Sequence, residues 1–327
     1  MNERRTIAVA GATGFVGRHA VRELLARGYS VRGLVRDREK SAKVLPRDER
    51  LRLIQGDVLD ATSLAGLTAG AAACVNAIGL LRETGGQTFR KAHVDSTRAL
   101  VGACREAGVP RFIQVSALGV SGHGATPYQK TKWEAEHLVA KSDLAWTILR
   151  PGLIHGPDGG VMAIAKGWVT GHRPPWFFLP YFARGVKSSD VPLAALRREP
   201  ATVAPVAIED VAWAIAECLD RPDTIGETFN LVGPEELTWP EMLRAIRDAV
   251  PGANPALEPL GIPSELAAMK ARAAGAIGLG GLLPFDEGMA RMGAADSTAT
   301  LDKARAQLGF DPRPFRAALK SYAARIA

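Results

Sequence analysis

The chain has 327 residues, 47% of them hydrophobic, and a formal net charge of +7. That length can bury a large core as one domain or two unequal lobes. No apolar stretch approaches the roughly 20 residues that span a bilayer, and the longest glycine-rich one, Ala273 to Phe285, is too short and too flexible. The basic excess is spread along the chain, which argues against nucleic-acid binding and suits anionic ligands or lipid headgroups. Cys74, Cys104 and Cys218 show no metal or redox spacing, as expected in a reducing cytoplasm. The histidines have no ligand spacing either, so no metal is expected. Met1 to Arg5 resembles the start of a signal peptide, but the apolar segment after it lacks a cleavage site.

Thr6 to Ala10 reads as a buried strand that breaks into the glycine-punctuated turn Gly11-Ala-Thr13-Gly14-Phe15-Val16-Gly17. An amphipathic helix begins at about Phe15, with Val16, Ala20, Val21, Leu24 and Leu25 on its apolar side. Further strands are predicted at Ser30–Val35, Leu51–Gln55, Ala72–Asn76, Arg111–Val115 and Trp146–Leu149. Helices fall after Gly56-Asp57-Val58 (capped by Asp60 or Thr62), at Phe89–Ala107 and at Tyr128–Lys141. Strands separated by helices imply right-handed crossovers and a doubly wound parallel sheet. The second half is less regular. It offers an aromatic segment at Pro174–Phe182, a strand-to-helix unit at Val203–Leu219, a strand at Glu227–Val232 and helices from about Pro240 and Pro314. The expected division is a dinucleotide-type domain at 1–155 and a smaller, interwoven lobe at 156–327.

Two constellations carry chemistry. In the first turn, Gly11 permits the tight bend, Gly14 clears space for a pyrophosphate, and Gly17 lets helix and strand approach closely. The helix N-terminus offers unpaired amides and the positive end of its dipole to phosphates. In the second, Tyr128 and Lys132 lie four residues apart on one helix face. The ammonium is expected to lower the phenol pKa toward the range of a general acid or base, and to hold a ribose hydroxyl.

These motifs resemble the short-chain dehydrogenase/reductase superfamily in its extended or atypical branch, an α/β class with a Rossmann-type sheet and a smaller C-terminal α/β substrate lobe. The resemblance rests on Gly11-x-x-Gly14-x-x-Gly17, Gly56-Asp57-Val58, Asn76-Ala-Ile-Gly79, Tyr128-x-x-x-Lys132 and Leu149-Arg-Pro-Gly152. It implies that Thr13, Phe15 and Val16 join the glycines around the phosphates, with adenine near Asp57 and Val58. The nicotinamide ribose would lie near Ala77, Ile78, Gly79, Tyr128 and Lys132, and the nicotinamide beside Pro151, Leu153 and Ile154. Val115-Ser-Ala-Leu-Gly119 and Trp146-Thr-Ile-Leu-Arg-Pro-Gly152 look like the atypical group that contains the nucleotide-binding accessory subunit of mitochondrial complex I and its bacterial relatives.

Charge points to the cofactor. An NAD site places a carboxylate directly after the second strand; here Arg36 stands there, Asp37 one residue later, and Arg18 follows the third glycine. Two guanidinium groups suit a 2′-phosphate, so NADP(H) is expected in preference to NAD(H). The family pattern also places a substrate-orienting hydroxyl where this chain has Ala117, leaving Ser116 or Ser121 as substitutes. His93 stands where the family often carries a structural Asn. His155, after the sixth strand, either lines the cleft or is solvated. The aromatics at 174–182 fill the smaller lobe's core, cover an apolar substrate, or form a surface for a membrane or partner. The segment 267–283 is read as a flap or a lipid-touching helix.

Two functions follow. One is an NADP(H)-dependent oxidoreductase or epimerase-like enzyme on a small hydroxy or keto compound, with Tyr128, Lys132 and Ser116 as its catalytic set. The other is a nucleotide-binding scaffold or redox-sensing subunit without turnover. No nucleic-acid partner is expected. A peripheral membrane or protein-complex contact is open, as is the choice of monomer or homodimer.

Overall fold

The structure is a computed structural model that describes residues 5–186, 197–276, 283 and 285–327. It comprises two compact units. The first takes the chain up to Pro151, then Ile208–Leu231 and Thr300–Asp311; the second takes Gly152–Ala207, Val232–Ala299 and Pro312–Ala327. The interleaving arises because a strand beyond residue 155 joins the first unit's sheet and the helix before it belongs to the same unit.

The first unit starts with β1 (Thr6–Ala10), α1 (Phe15–Ala26), β2 (Ser30–Val35), α2 (Arg38–Ser41), β3 (Leu51–Gln55), α3 (Ala61–Thr68) and β4 (Ala73–Asn76). A π-helical turn (Arg90–Asp95) leads into α4 (Ser96–Glu106), followed by β5 (Arg111–Val115), α5 (Pro127–Ala140) and β6 (Ala145–Pro151). The second unit then supplies β7 (Ile154–His155), α6 (Gly160–Val169), β8 (Leu179–Val186), β9 (Arg197–Pro200), β10 (Thr202–Val203) and β11 (Val206–Ala207). The chain returns to the first unit for α7 (Ile208–Asp220) and β12 (Glu227–Leu231). The second unit continues with β13 (Leu237–Thr238), α8 (Trp239–Ala249), β14 (Pro259–Pro263), α9 (Ser264–Ala276), α10 (Glu287–Gly293) and α11 (Phe315–Tyr322).

In the first unit seven strands form one sheet in the order β12-β6-β5-β4-β1-β2-β3, every pair parallel. β4 and β5 are buried along their whole length, as expected for strands covered by helices on both faces. The chain winds outward from β1 to β3, then crosses to β4 and winds the other way. The switch point between β1 and β4 is where open α/β sheets leave a crevice at the strands' carboxyl ends. Arg111 ties the far edge together: its guanidinium donates to Ala145 O, Thr147 Oγ1, Cys218 O and Thr224 Oγ1 at 2.6–2.8 Å. Cys74, Cys104 and Cys218 are free and buried.

The second unit holds a three-stranded sheet, β14-β8-β9, and the two short pairs β10-β13 and β11-β7. Its core gathers Met162, Val169, Leu179, Leu243, Ile246, Phe315 and Leu319. His155 is neither solvated nor cleft-lining here: it is buried in β7, with Nδ1 2.8 Å from Tyr322 Oη and its ring against the edge of Phe315. The aromatic stretch divides. Tyr181 packs on the core and Phe182 on Ala267 and Ala268 of α9, whereas Trp176 and Phe177 are exposed. Of the segment 267–283, α9 buries Ala267, Ala268 and Ala271, while 277–282 lies outside the described residues, as do residues 1–4. Among the described residues no helix is long and apolar enough to cross a membrane.

Candidate functional site

The turn after β1 is built by its glycines. Gly11 has φ +78°, and a Cβ there would lie 2.8–2.9 Å from the backbone of Ala77 and Ile78. Gly17 faces it from the first turn of α1, where a Cβ would sit 2.0 Å from Gly11 O. Gly14 caps α1 in extended conformation, without a side-chain hydrogen bond; its amide donates to Gly11 O at 2.9 Å. The amides of Phe15, Val16 and Gly17 open the helix, whose first turn has no intrahelical partners for them.

The exit of β4 is held with equal care. Buried Asn76 donates through Nδ2 to Thr97 Oγ1 and Gln114 Oε1, at 3.1 and 3.0 Å, while its Oδ1 accepts the Ile78 amide at 3.2 Å. His93 fixes the next residues. Its Nε2 accepts the Leu80 amide at 3.3 Å, and its Nδ1 lies 2.9 Å from Thr131 Oγ1 on α5. This is the backbone bond an Asn would supply. Burial, with the nearby Lys132 charge second, lowers the His93 pKa to about 3, so the ring is neutral.

Between these two exits lies a cleft of about 420 Å³. Gly11, Thr13 and Gly14 line it from the β1–α1 turn, Val35 and Arg36 from the end of β2, Gly56, Asp57 and Val58 from β3, and Ala77 to Leu80 from β4. Gly85, Gly86, Gln87, Thr88, Lys91 and Ala92 complete the wall, and sequence reasoning missed them. Gly85 and Gly86 both have positive φ, 57° and 80°, as a type I′ turn requires. Thr84 and Gln87 exchange backbone bonds across the turn. The Gly-Gly dipeptide was the available signal. A larger groove, about 550 Å³, runs between α3 and α4, but its alanine-rich lining gathers none of the motif residues.

The charges after β2 are sorted. Arg36 lines the cleft, is exposed, and makes no ion pair among the described residues. Asp37 instead caps α2, accepting the Lys40 amide at 3.0 Å and pairing with its ammonium at 3.3 Å. The amide bond and then the Lys40 ammonium hold its carboxyl below the usual range. Arg18 lies over the Phe15 ring, 5.3 Å from its centroid, and does not line the cleft.

Tyr128 sits in the first turn of α5, which a Thr126–Gln129 capping box starts with Pro127 at its first position. Its ring meets Phe89 and His93 edge-on. Burial raises its pKa to about 12, so the expected lowering by Lys132 is not found. The reason is geometric: the Lys132 ammonium is buried and donates to Ile78 O at 3.3 Å and Val115 O at 3.0 Å. Desolvation lowers its own pKa to about 8, partly offset by Glu136. Ser116 Oγ is buried without a hydrogen-bond partner, and Ser121 Oγ accepts the His123 amide at 3.2 Å. Tyr128, Lys132, Ser116 and Pro151 belong to the first unit without lining the 420 Å³ cleft. Leu153 and Ile154 belong to the second.

Comparison with known proteins agrees with this geometry. Residues 11–171 match a family model described as NAD(P)H-binding. The chain is 29% identical over 265 residues to a ceramide reductase of Caulobacter vibrioides, covering 81% of this chain and 76% of that protein. It is 30% identical to subunit 9 of the mitochondrial NADH dehydrogenase (ubiquinone) 1 alpha subcomplex of Arabidopsis thaliana, over 74% of this chain and 57% of the relative's length. The chain thus spans little more than half of that subunit. The fold matches a dTDP-glucose 4,6-dehydratase from Streptomyces venezuelae with TM-score 0.68 and 22% identity, covering 98% of this chain and 95% of that one. The glycine turn, the family match and these relatives together place residues 11–171 in the NAD(P)H-binding family, on a fold shared with solved structures of short-chain dehydrogenase/reductase and epimerase-like proteins.

Proposed function

We propose that the first unit binds NADP(H) in the glycine-lined cleft and that the chain is a carbonyl reductase using Tyr128 and Lys132. The observation that carries the cofactor reading is the cleft itself. It lies at the sheet's switch point, with glycines at its floor and an uncommitted Arg36 at the end of β2. The residues fit the group. Exposed Gly14 and the opening amides of α1 suit a pyrophosphate, with Gly11, Thr13, Phe15, Val16 and Gly17 shaping that turn. Asp57 and Val58 would border the adenine, Arg36 the 2′-phosphate, and Ala77, Ile78 and Gly79 the nicotinamide ribose; Arg18, held over the Phe15 ring, is not counted among them. The diversion of Asp37 into a helix cap supports NADP(H) over NAD(H), because that carboxylate is engaged by the Lys40 amide and ammonium and is not offered to a ribose 2′-hydroxyl.

When bound, NADPH supplies a hydride to the carbonyl carbon. Tyr128, still protonated at neutral pH, gives its proton to the carbonyl oxygen as the alcohol forms, and solvent returns a proton to the phenol. Lys132, charged below about pH 8, lies among the carbonyls of Ile78 and Val115 and holds the ribose side of the site. The ceramide reductase relative supports the reductive direction; the substrate class proposed is a small hydroxy/keto compound.

One observation favours a second reading, a nucleotide-holding subunit without turnover. Position 117 is alanine, and the hydroxyl of Ser116 is buried, so nothing at the end of β5 presents a hydroxyl to orient a substrate. NADPH oxidation across a panel of aldehydes and ketones separates the two. The reductase reading expects turnover that falls roughly 100-fold or more in Tyr128→Phe with NADPH affinity kept. Tight NADPH binding with thermal stabilisation and no oxidation by any carbonyl establishes the holding role instead.

A further inference from the structure

The described residues expose eight large hydrophobic side chains, and five of them, Trp176, Phe177, Leu260, Leu266 and Met269, belong to the second unit. These five belong to one stretch of structure, the β8–β14 pair with the segment that leads into β8 and the helix that follows β14. Trp176 and Phe177 lead directly into β8. Leu260 stands on β14 opposite Pro180 of β8. α9 follows β14 without a break and buries Ala267, Ala268 and Ala271, which turns Leu266 and Met269 outward at helical spacing. Phe177 is 86% exposed, Met269 61% and Trp176 57%. A soluble chain gains nothing from that much uncovered aromatic and aliphatic surface unless something covers it.

Charge selects what covers it. Arg173 precedes the aromatic pair, Lys270 and Arg272 follow Met269 within one turn of α9, and all three are exposed. None makes an ion pair among the described residues; Glu265 is the one carboxylate on α9. Large apolar tips bordered by long cationic side chains match a headgroup boundary: the rings enter the acyl edge while the cations meet anionic phosphates. A second copy on the same face would set these cations against themselves, so self-association is the poorer match. No described helix can span a bilayer, so the contact would be peripheral. We propose that this face of the second unit docks on an anionic lipid surface, a property independent of the nicotinamide reading.

Co-sedimentation of the full chain with phosphatidylcholine vesicles, with and without phosphatidylglycerol, tests the docking. The expected result is sedimentation with the anionic vesicles, weakened by added salt. It should fall roughly tenfold in the double variant Trp176→Ser/Phe177→Ser and likewise in Lys270→Glu/Arg272→Glu, with NADPH binding unchanged in both. Absence of binding to anionic vesicles would overturn the proposal, as would equal binding by the wild type and both variants. Concentration-dependent dimerisation abolished by Trp176→Ser/Phe177→Ser would overturn it too, assigning the face to a second copy.

Discussion

Gly17 approaches Gly11 so closely that a Cβ on Gly17 would lie 2.0 Å from the Gly11 carbonyl oxygen. Backbone offers no room to yield, so Gly17→Ala must push α1 away from the β1 turn. The expected cost is about 2–3 kcal/mol of stability, together with at least roughly tenfold weaker NADPH binding as the turn opens. Gly102→Ala is the matched control. Gly102 lies within α4 with nothing within 4 Å of the added carbon, so the same change there is expected to stabilise by up to about 1 kcal/mol. Thermal melts of the two variants should move in opposite directions.

Cofactor affinity should depend on pH through Lys132. Desolvation lowers its pKa to about 8, and an anionic dinucleotide held against Ile78, whose carbonyl accepts from the Lys132 ammonium, would favour the charged form. Binding therefore takes up a proton above that pH. The NADPH Kd is expected to rise by up to about tenfold per pH unit above about 8 and to be flat below it. Lys132→Met should bind more weakly at neutral pH and lose the dependence. Isothermal titration in buffers of different ionisation enthalpy reads the proton uptake directly.

Acid should destabilise the fold through two buried histidines, one in each unit. His93 and His155 both fall from the ordinary 6.5 to about 3, burial being the larger cause in each. A pKa depressed on folding means that the unfolded chain binds more protons between those values. Stability is thus full above about pH 6.5 and lost as the pH drops toward 3, by about 1.4 kcal/mol per pH unit per histidine. Melting temperatures measured between pH 6.5 and 5 check this. His93→Asn, which keeps an acceptor for the Leu80 amide, should flatten part of the slope.

The first unit was legible because its strands are short apolar runs punctuated by glycine and by helix caps. β1, β2, β3 and β5 fall where the alternation places them, and of the two caps open for α3, Asp60 or Thr62, it is Asp60 that accepts the Ser63 amide, at 2.7 Å. What periodicity could not show was tertiary. Nothing local tells α7 and β12 to rejoin a sheet begun two hundred residues earlier. The spacing of Tyr128 and Lys132 put both on one helix face, but a lysine's long stem decides where its charge goes, and here the carbonyls of Ile78, after β4, and of Val115, at the end of β5, took it. Asp37 next to Arg36 was ambiguous until α2, too short for any periodic signal, claimed the carboxylate as its cap. His155 looked like a loop residue because β7 is only two residues long.

The central claim is that the first unit's cleft holds NADP(H), with Arg36 recognising the 2′-phosphate. Fluorescence titration of the purified chain with NADPH and NADH, repeated on Arg36→Ala, tests it most directly. The account expects NADPH to bind at least roughly tenfold tighter than NADH, with Arg36→Ala erasing most of that difference while leaving NADH affinity nearly unchanged. Tighter binding of NADH, or an Arg36→Ala variant that keeps the full NADPH affinity, would contradict it.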